Sequence, residues 1–271
     1  MVRMGGMSHL LIFGLGYTAK RIAACMKDDG WSLEATGADG TLDFADSAAV
    51  SQAIKSASHV LSSVPPAKDG AEPVLDSFGD QLSCKPLFYL SSTGVYGDTG
   101  GAWADESTPV GTGRRQARSA AEARWLEMGA CSFRLPGIYG PGRSAFDRIT
   151  AGKARRIDLA EQVFSRVHVD DIARGLALAM MQNAPAGAYN LADDLPCSQN
   201  AVIEYACDLM GISPPPLQSL EEAGLSDMAK GFYAENRRIA NGKAKRILGW
   251  QMQYPTYREG LRAIRAISGG L

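Results

Sequence analysis

The segment His9-Leu10-Leu11-Ile12-Phe13 runs through four consecutive apolar residues straight into Gly14-x-Gly16-x-x-Ala19. A continuous apolar run that ends in glycine is the pattern of a parallel strand covered on both faces. Beyond the glycines, Ile22, Ala23 and Met26 recur at helical spacing until Gly30 stops the pattern. Strand, glycine turn and helix form one half of a βαβ unit, which commits the chain to a layered α/β architecture. In this context the glycines allow a tight turn and let a pyrophosphate approach the helix N-terminus.

Further short runs at 32–36, 59–64, 86–91 and 131–135 alternate with helix-compatible stretches such as 47–56 and 114–128. The alternation predicts a doubly wound, Rossmann-type parallel sheet. After Pro141 the pattern loosens into a helix at 145–151, a strand near 164–169, a helix at 170–181 and a short strand at 189–192. Asn241 is placed to cap a helix over 242–248, Gly249 to stop it, and 255–267 reads as a last amphipathic helix. The expected organisation is a dinucleotide domain over 1–192, with 142–165 contributing to a second lobe. A small, mainly helical substrate lobe is expected over 193–271.

Composition excludes several classes. The 271 residues are 45% hydrophobic and 21% charged, enough for a sizeable core and unlike a disordered chain. Lys+Arg 28 against Asp+Glu 29 leaves a formal charge of -1, so no net field draws the chain to nucleic acid or membrane. Any anion site must be local. No apolar run approaches the roughly 20 residues of a membrane span, and residues 1–8 show no signal-peptide core, so a cytoplasmic protein is expected. Five scattered cysteines without a CxxC pair, and only three histidines, argue against a metal site. The absence of a GxSxG elbow argues against a Ser-His-Asp hydrolase.

Four more segments follow in series. They are Tyr89-Leu90-Ser91-Ser92-Thr93-Gly94-Val95-Tyr96-Gly97-Asp98, Asp105-Glu106-Ser107-Thr108-Pro109, Arg134-Leu135-Pro136-Gly137-Ile138-Tyr139-Gly140-Pro141-Gly142 and Val167-His168-Val169-Asp170-Asp171-Ile172-Ala173. With the glycine turn and the closing 241–250, they resemble the extended short-chain dehydrogenase/reductases over nearly the whole chain. These are the NAD-dependent epimerase/dehydratase proteins, typified by nucleotide-sugar epimerases.

The resemblance implies NAD(P) as cofactor and assigns positions to it. Gly14, Gly16, Tyr17, Thr18 and Ala19 would lie along the pyrophosphate, and Asp43 and Phe44, after a third strand, would flank the adenine. Ser63, Val64 and Pro65 would line the next strand's end, while Ser91, Ser92, Leu135, Pro136 and Ile138 would approach the nicotinamide. An acid at the end of the second strand marks NAD, and a basic residue there marks NADP. Gly37 stands at that position. Asp39 can still reach the ribose, and Lys20 or Arg21 can contact a phosphate; the balance falls slightly toward NADP.

The chain departs from the resemblance where chemistry is done. Relatives carry Tyr-x-x-x-Lys, the tyrosine exchanging a proton and the lysine holding the nicotinamide ribose; here Arg114 and Arg118 occupy those positions. Arginine stays protonated to about pH 12, so Arg114 cannot shuttle a proton near neutrality. Arg118 can keep the lysine's binding role, with Glu122 one turn on to orient it. Tyr96 and Tyr139 are candidate substitute acids. The plainer reading of Arg114, Arg115, Arg118 and Arg124 is a solvated helix face.

Two further departures concern anion binding and assembly. Phe164 stands where relatives often place a pyrophosphate-binding arginine, with Arg166 further along the same strand face. His168, Asp170 and Asp171 read as a strand end and an Asp-capped helix rather than a metal site. Residues 65–86 are short for the helix that commonly helps form the family's dimer, so a monomer or non-standard dimer is expected.

The expected function is an NAD(P)-dependent oxidoreductase or epimerase acting on a small anionic or nucleotide-linked, sugar-like substrate. Ser92 would polarise a substrate oxygen, Arg118 hold the ribose, and Arg114 stabilise an oxyanion or anchor the anion. The proton would come from Tyr96, Tyr139, water or the substrate. The alternatives are a catalytically silent NAD(P)-binding sensor or interaction protein, and a scaffold that no longer binds dinucleotide.

Overall fold

The computed structural model describes residues 8–267 and residue 269; residues 1–7, part of the stretch without a signal-peptide core, lie outside the described residues. The chain opens with β1 (His9–Phe13), α1 (Tyr17–Asp28), β2 (Ser32–Ala35), α2 (Ser47–Ser56), β3 (His59–Ser62), α3 (Pro73–Leu82) and β4 (Leu87–Ser92). After a 3-10 turn at Thr93–Tyr96 come β5 (Trp103–Ala104), α4 (Gln116–Glu127), β6 (Cys131–Leu135), β7 (Gly137–Tyr139), α5 (Ala145–Thr150), β8 (Arg156–Ile157) and β9 (Arg166–His168). Then follow α6 (Val169–Met181), β10 (Gly187–Asn190), α7 (Gln199–Met210), β11 (Leu217–Gln218), α8 (Asp227–Tyr233), β12 (Arg238–Ile239), α9 (Gly242–Leu248) and α10 (Tyr257–Ile267).

Six strands make one parallel sheet in the order β10-β6-β4-β3-β1-β2. Chain order reverses at β1, and the C-terminal ends of the strands on either side open the crevice in which such sheets bind ligands. Alternation along β1 sends Leu10 and Ile12 to a core beneath α1 and α6, and Leu11 and Phe13 to one beneath α2, α3 and α4. Each such buried side chain contributes about 1.5–3 kcal/mol.

The structure corrects three expectations. The third strand of the nucleotide-binding half shrinks to a single Thr36–Leu42 bridge, because Gly40 N–H bonds back to Gly37 C=O at 2.9 Å and turns the chain at once. Asn241 precedes α9 but does not cap it; its amide donates to Ala192 C=O at 2.8 Å and to Asp194 at 2.7 Å. The cap of α6 is His168, whose Nδ1 accepts from Asp170 N–H at 3.2 Å, not an aspartate.

Tyr139, Phe146, Val202, Ala206, Tyr257 and Leu261 form a further core, apart from the two on the sheet faces, that joins α5, α7 and α10. Ala244, Leu248 and Trp250 instead pack into the sheet core on the α6 side, where Trp250 Nε1–H donates to Asp171 C=O at 2.9 Å. A Cβ at Gly175 would lie 3.2 Å from that indole nitrogen, so glycine makes the seat for Trp250. Residues from 193–271 thus contribute both to the core of α5, α7 and α10 and to that of the sheet. No helix among the described residues is long and apolar enough to cross a membrane.

Candidate functional site

The glycine turn is built by close approach. Gly14 has φ +86°, and a Cβ there would lie 3.1 Å from both Ser63 Oγ and Val64 Cγ2, so the end of β3 presses on it. Thr36 holds the other side, accepting from Leu15 N–H at 2.8 Å and, through Oγ1, from Gly14 N–H at 3.1 Å. The Ser63 hydroxyl donates to Gly14 C=O. Gly16 precedes α1 with no side-chain cap, and a Cβ on it would meet nothing within 4 Å. Ala19 is buried under the helix against the sheet core. A turn shaped by glycine and an uncapped helix N-terminus facing open space fit a dinucleotide pyrophosphate.

The groups expected to choose between the dinucleotides are arranged differently from the sequence reading. Gly37 has φ +116°, and a Cβ there would stand 3.0 Å from Leu15 N, so the position serves the glycine turn and admits no discriminating side chain. Lys20 Nζ pairs with Asp39 at 2.5 Å, and each charge neutralises the other. Arg21 does not face the ribose end; it is bonded through Nε and Nη2 to Asp170 at the start of α6. Asp43 accepts from Ala45 N–H at 2.9 Å, Phe44 packs edge-on against Phe13 and Phe78, and Pro65 is exposed just beyond β3. The Tyr17 hydroxyl donates to Pro141 C=O at 3.1 Å, tying α1 to the loop after β7.

Beyond the ends of β4 and β6 lies a cleft of about 890 Å³ that brings together Ser91, Ser92, Arg114, Arg118, Leu135, Pro136, Ile138 and Tyr139. Ser92 Oγ accepts from Gly94 N–H at 3.1 Å, which leaves its own proton for a ligand. Arg118 Nη1 donates to the Tyr89 hydroxyl at 2.8 Å and to Leu90 C=O at 3.1 Å, so β4 and not Glu122 orients it. Glu122 is committed elsewhere: it receives Ser132 Oγ–H at 2.6 Å and Arg134 Nε–H at 3.0 Å in the core.

Tyr96 belongs to the same buried network, joined to Glu122 through Arg134. It is 1% exposed, donates to Asn190 Oδ1 at 2.7 Å and accepts from Arg134 Nη1 at 2.9 Å, and burial pushes its phenol up to about 12. It does not line the cleft. Tyr139 does, but its hydroxyl is turned to Thr256 C=O at 3.4 Å, and burial raises its pKa.

The cleft is strongly cationic in a chain that is nearly neutral. Arg114, Arg115, Arg118, Arg143, Arg148, Lys153, Arg166 and Arg237 line it against only Asp147 and Glu235. Asp147 is occupied by Ser144, whose N–H and hydroxyl it accepts at 2.6 Å. Glu235 takes Arg237 Nη1–H at 2.9 Å, Arg114 N–H at 3.1 Å and the Arg114 guanidinium at 3.5 Å. Phe164 stacks edge-on with Tyr233, while Arg166 is held by the carbonyls of Phe164, Cys197 and Ser198.

The architecture is shared with solved structures. A functionally unknown conserved protein from Silicibacter pomeroyi is 38% identical, with 96% of this chain and 99% of that one covered at a TM-score of 0.85. The two proteins belong to one family. A Methylobacillus flagellatus protein described as an NAD-dependent epimerase/dehydratase is 22% identical over 97% of this chain and all of that one, at a TM-score of 0.75.

The chain has the NAD-dependent epimerase/dehydratase fold.

The Bordetella bronchiseptica enzyme WbmG, solved in complex with NAD, has the same fold at 17% identity, a TM-score of 0.73 and coverage of 99% and 97%. No family model matches the chain. Among curated proteins, 3-diazoavenalumate denitrifying reductase from a Streptomyces species is 30% identical over 146 residues, 50% of this chain and 47% of the reductase. The chain thus spans about half the length of the curated relative it matches.

Several residues of this epimerase/dehydratase-fold cleft escape sequence reasoning. Arg115 was grouped with a helix face, yet α4 begins only at Gln116, so helical periodicity does not place it. Phe232, Tyr233, Glu235 and Arg237 come from a segment without a motif that folds across the cleft from more than a hundred residues away. A segment with no local pattern carries no signal of where it docks.

Proposed function

We propose that the chain is an NAD(P)-dependent oxidoreductase that acts on an organic anion drawn into the arginine-lined cleft. The observation that carries this reading is the pairing of Ser92 with eight cationic side chains against two already bonded carboxylates, at the strand ends where the resemblance sets the nicotinamide. The fold neighbour bound to NAD and the partial match to a reductase support it.

Bound NAD(P)H supplies a hydride donor. Ser92 Oγ–H would donate to the substrate oxygen or its equivalent, and Arg118 would hold the ribose hydroxyls through its guanidinium protons. Arg114, tied to Glu235, holds the segment that covers the cleft. Epimerisation through a keto intermediate requires a base that removes a hydroxyl proton and an acid that returns it, and Arg114 can be neither. Hydride delivery to an acceptor whose proton comes from water or the substrate, or which needs none, makes no such demand. Reduction is therefore the favoured chemistry, carried out by a cytoplasmic protein on a small-molecule substrate.

The test is calorimetric titration of nucleotide-free protein with NAD, NADH, NADP and NADPH, followed by a screen of organic acids for loss of nicotinamide absorbance. Binding of a reduced form, with turnover that falls about a hundredfold in Ser92→Ala, is expected. Binding without turnover across the screen would replace this reading with a silent sensor. No binding of any form would end both.

A further inference from the structure

We infer that Arg115 reads the charge of the substrate, holding its carboxylate beside Ser92, so that the substrate is a small organic acid charged close to its reacting carbon. This rests on the oxidoreductase reading of the same cleft. The cleft's cations differ in what already satisfies them. Arg114 and Arg237 are paired with Glu235, Arg118 is bonded to Tyr89 and Leu90, and Arg166 is surrounded by carbonyls. Arg143, Arg148 and Lys153 stand exposed and are hydrated at the rim. Arg115 remains: it is half-buried, and among the described residues no carboxylate, carbonyl or hydroxyl accepts from its guanidinium. Its guanidinium lies 5.9 Å from the centre of the Phe232 ring, and Glu235 acts on it only as a charge that is already bonded to Arg114 and Arg237.

The position of this side chain is set by the Ser92 turn. A Cβ on Gly94 would fall 2.5 Å from Arg115 Cδ and 3.0 Å from its Nε, so the arginine lies directly on Gly94, whose N–H bonds to Ser92 Oγ. The arginine stem therefore packs on the turn that holds Ser92 Oγ, and an oxyanion bound by the guanidinium would share that turn. Burial, and the repulsion of Arg114 and Arg118, push the Arg115 pKa down, an imbalance that a bound anion relieves. The start of α4 adds to it: Arg115 is the N-cap, no side chain caps the helix, and no acid stands in the first turn. Ser91 is an independent sign of a ligand, for it lines the cleft at 5% exposure and its hydroxyl has no partner among the described residues.

A nucleotide-linked sugar carries its charge on a diphosphate, removed from the carbon that reacts. A cation set on the Ser92 turn instead matches a compact acid such as an oxo or hydroxy carboxylate.

The experiment uses oxalate and UDP as probes in calorimetry and thermal unfolding, with and without NADPH. Oxalate is expected to bind wild type and to bind Arg115→Met about tenfold or more weakly, with Arg115→Lys between them. Arg115→Gln serves as the second neutral variant should the Met form fail to fold, and an unchanged unfolding temperature without probe certifies either. Equal oxalate affinity in wild type and the neutral variants overturns the assignment, as does binding of UDP with exclusion of oxalate. If no dinucleotide binds while oxalate still depends on Arg115, the anion site stands and the oxidoreductase reading alone falls.

Discussion

Asp193 shows how a single buried residue sets a pH response. It is 1% exposed, takes Leu195 N–H on Oδ1 at 3.3 Å, and leaves Oδ2 without a partner among the described residues. Burial, opposed by Arg166, raises its pKa to about 7. A carboxyl whose folded pKa lies above its unfolded value of about 3.9 contributes stability that is complete below the unfolded value and lost as pH rises through the folded one. Asp193→Asn should therefore gain on wild type as pH rises from about 4 to about 7 and hold that gain above it. Urea unfolding at several pH values reads this directly, and a difference that stays flat or reverses would show that Asp193 ionises freely. The arginines teach the same lesson without titration: Arg114, Arg115 and Arg118 are one residue type within five positions, yet one grips Glu235, one lies on Gly94 and one is bonded to β4.

At the scale of elements, the turn after β2 is coupled to the turn after β1. Gly37 combines φ +116° with an approach of 3.0 Å between its would-be Cβ and Leu15 N. Installing the acid that marks NAD in relatives, Gly37→Asp, is expected to cost about 1–3 kcal/mol through backbone strain and to weaken NAD and NADP alike by distorting the glycine turn. Tighter NAD binding in that variant, measured by calorimetry, would disprove the coupling. Element positions were legible because apolar runs and glycines are local signals: β1, α2 and α9 fall where the pattern puts them. The start of α4 was not. Two arginines look the same inside a helix and before one, and only the Ser92 turn decides that Arg115 caps it.

On the scale of the whole molecule, α9 returns from the second lobe to the sheet. Trp250 is 1% exposed among Leu176, Leu191 and Leu248, and its indole is bonded to α6. The core joining α5, α7 and α10 and the cores of the sheet are therefore expected to unfold as one. Trp250→Ala should cost about 3–5 kcal/mol while the chemical unfolding curve keeps a single transition. A variant that showed two separated transitions would mean that the lobes are independent domains. The same long-range docking brings Glu235 and Phe232 to Arg114, closing a cleft whose two sides are far apart in sequence.

The sequence by itself determined the layered α/β architecture, the glycine turn and the replacement of Tyr-x-x-x-Lys by two arginines, because burial period, backbone freedom and residue chemistry are written locally. Only the tertiary structure decided which arginines are already satisfied, that Tyr96 and Glu122 belong to a buried network, and that Gly37 serves the turn beside it. A side chain's role depends on its partners, and in this molecule those partners come from strands, helices and loops that meet only when the chain is folded.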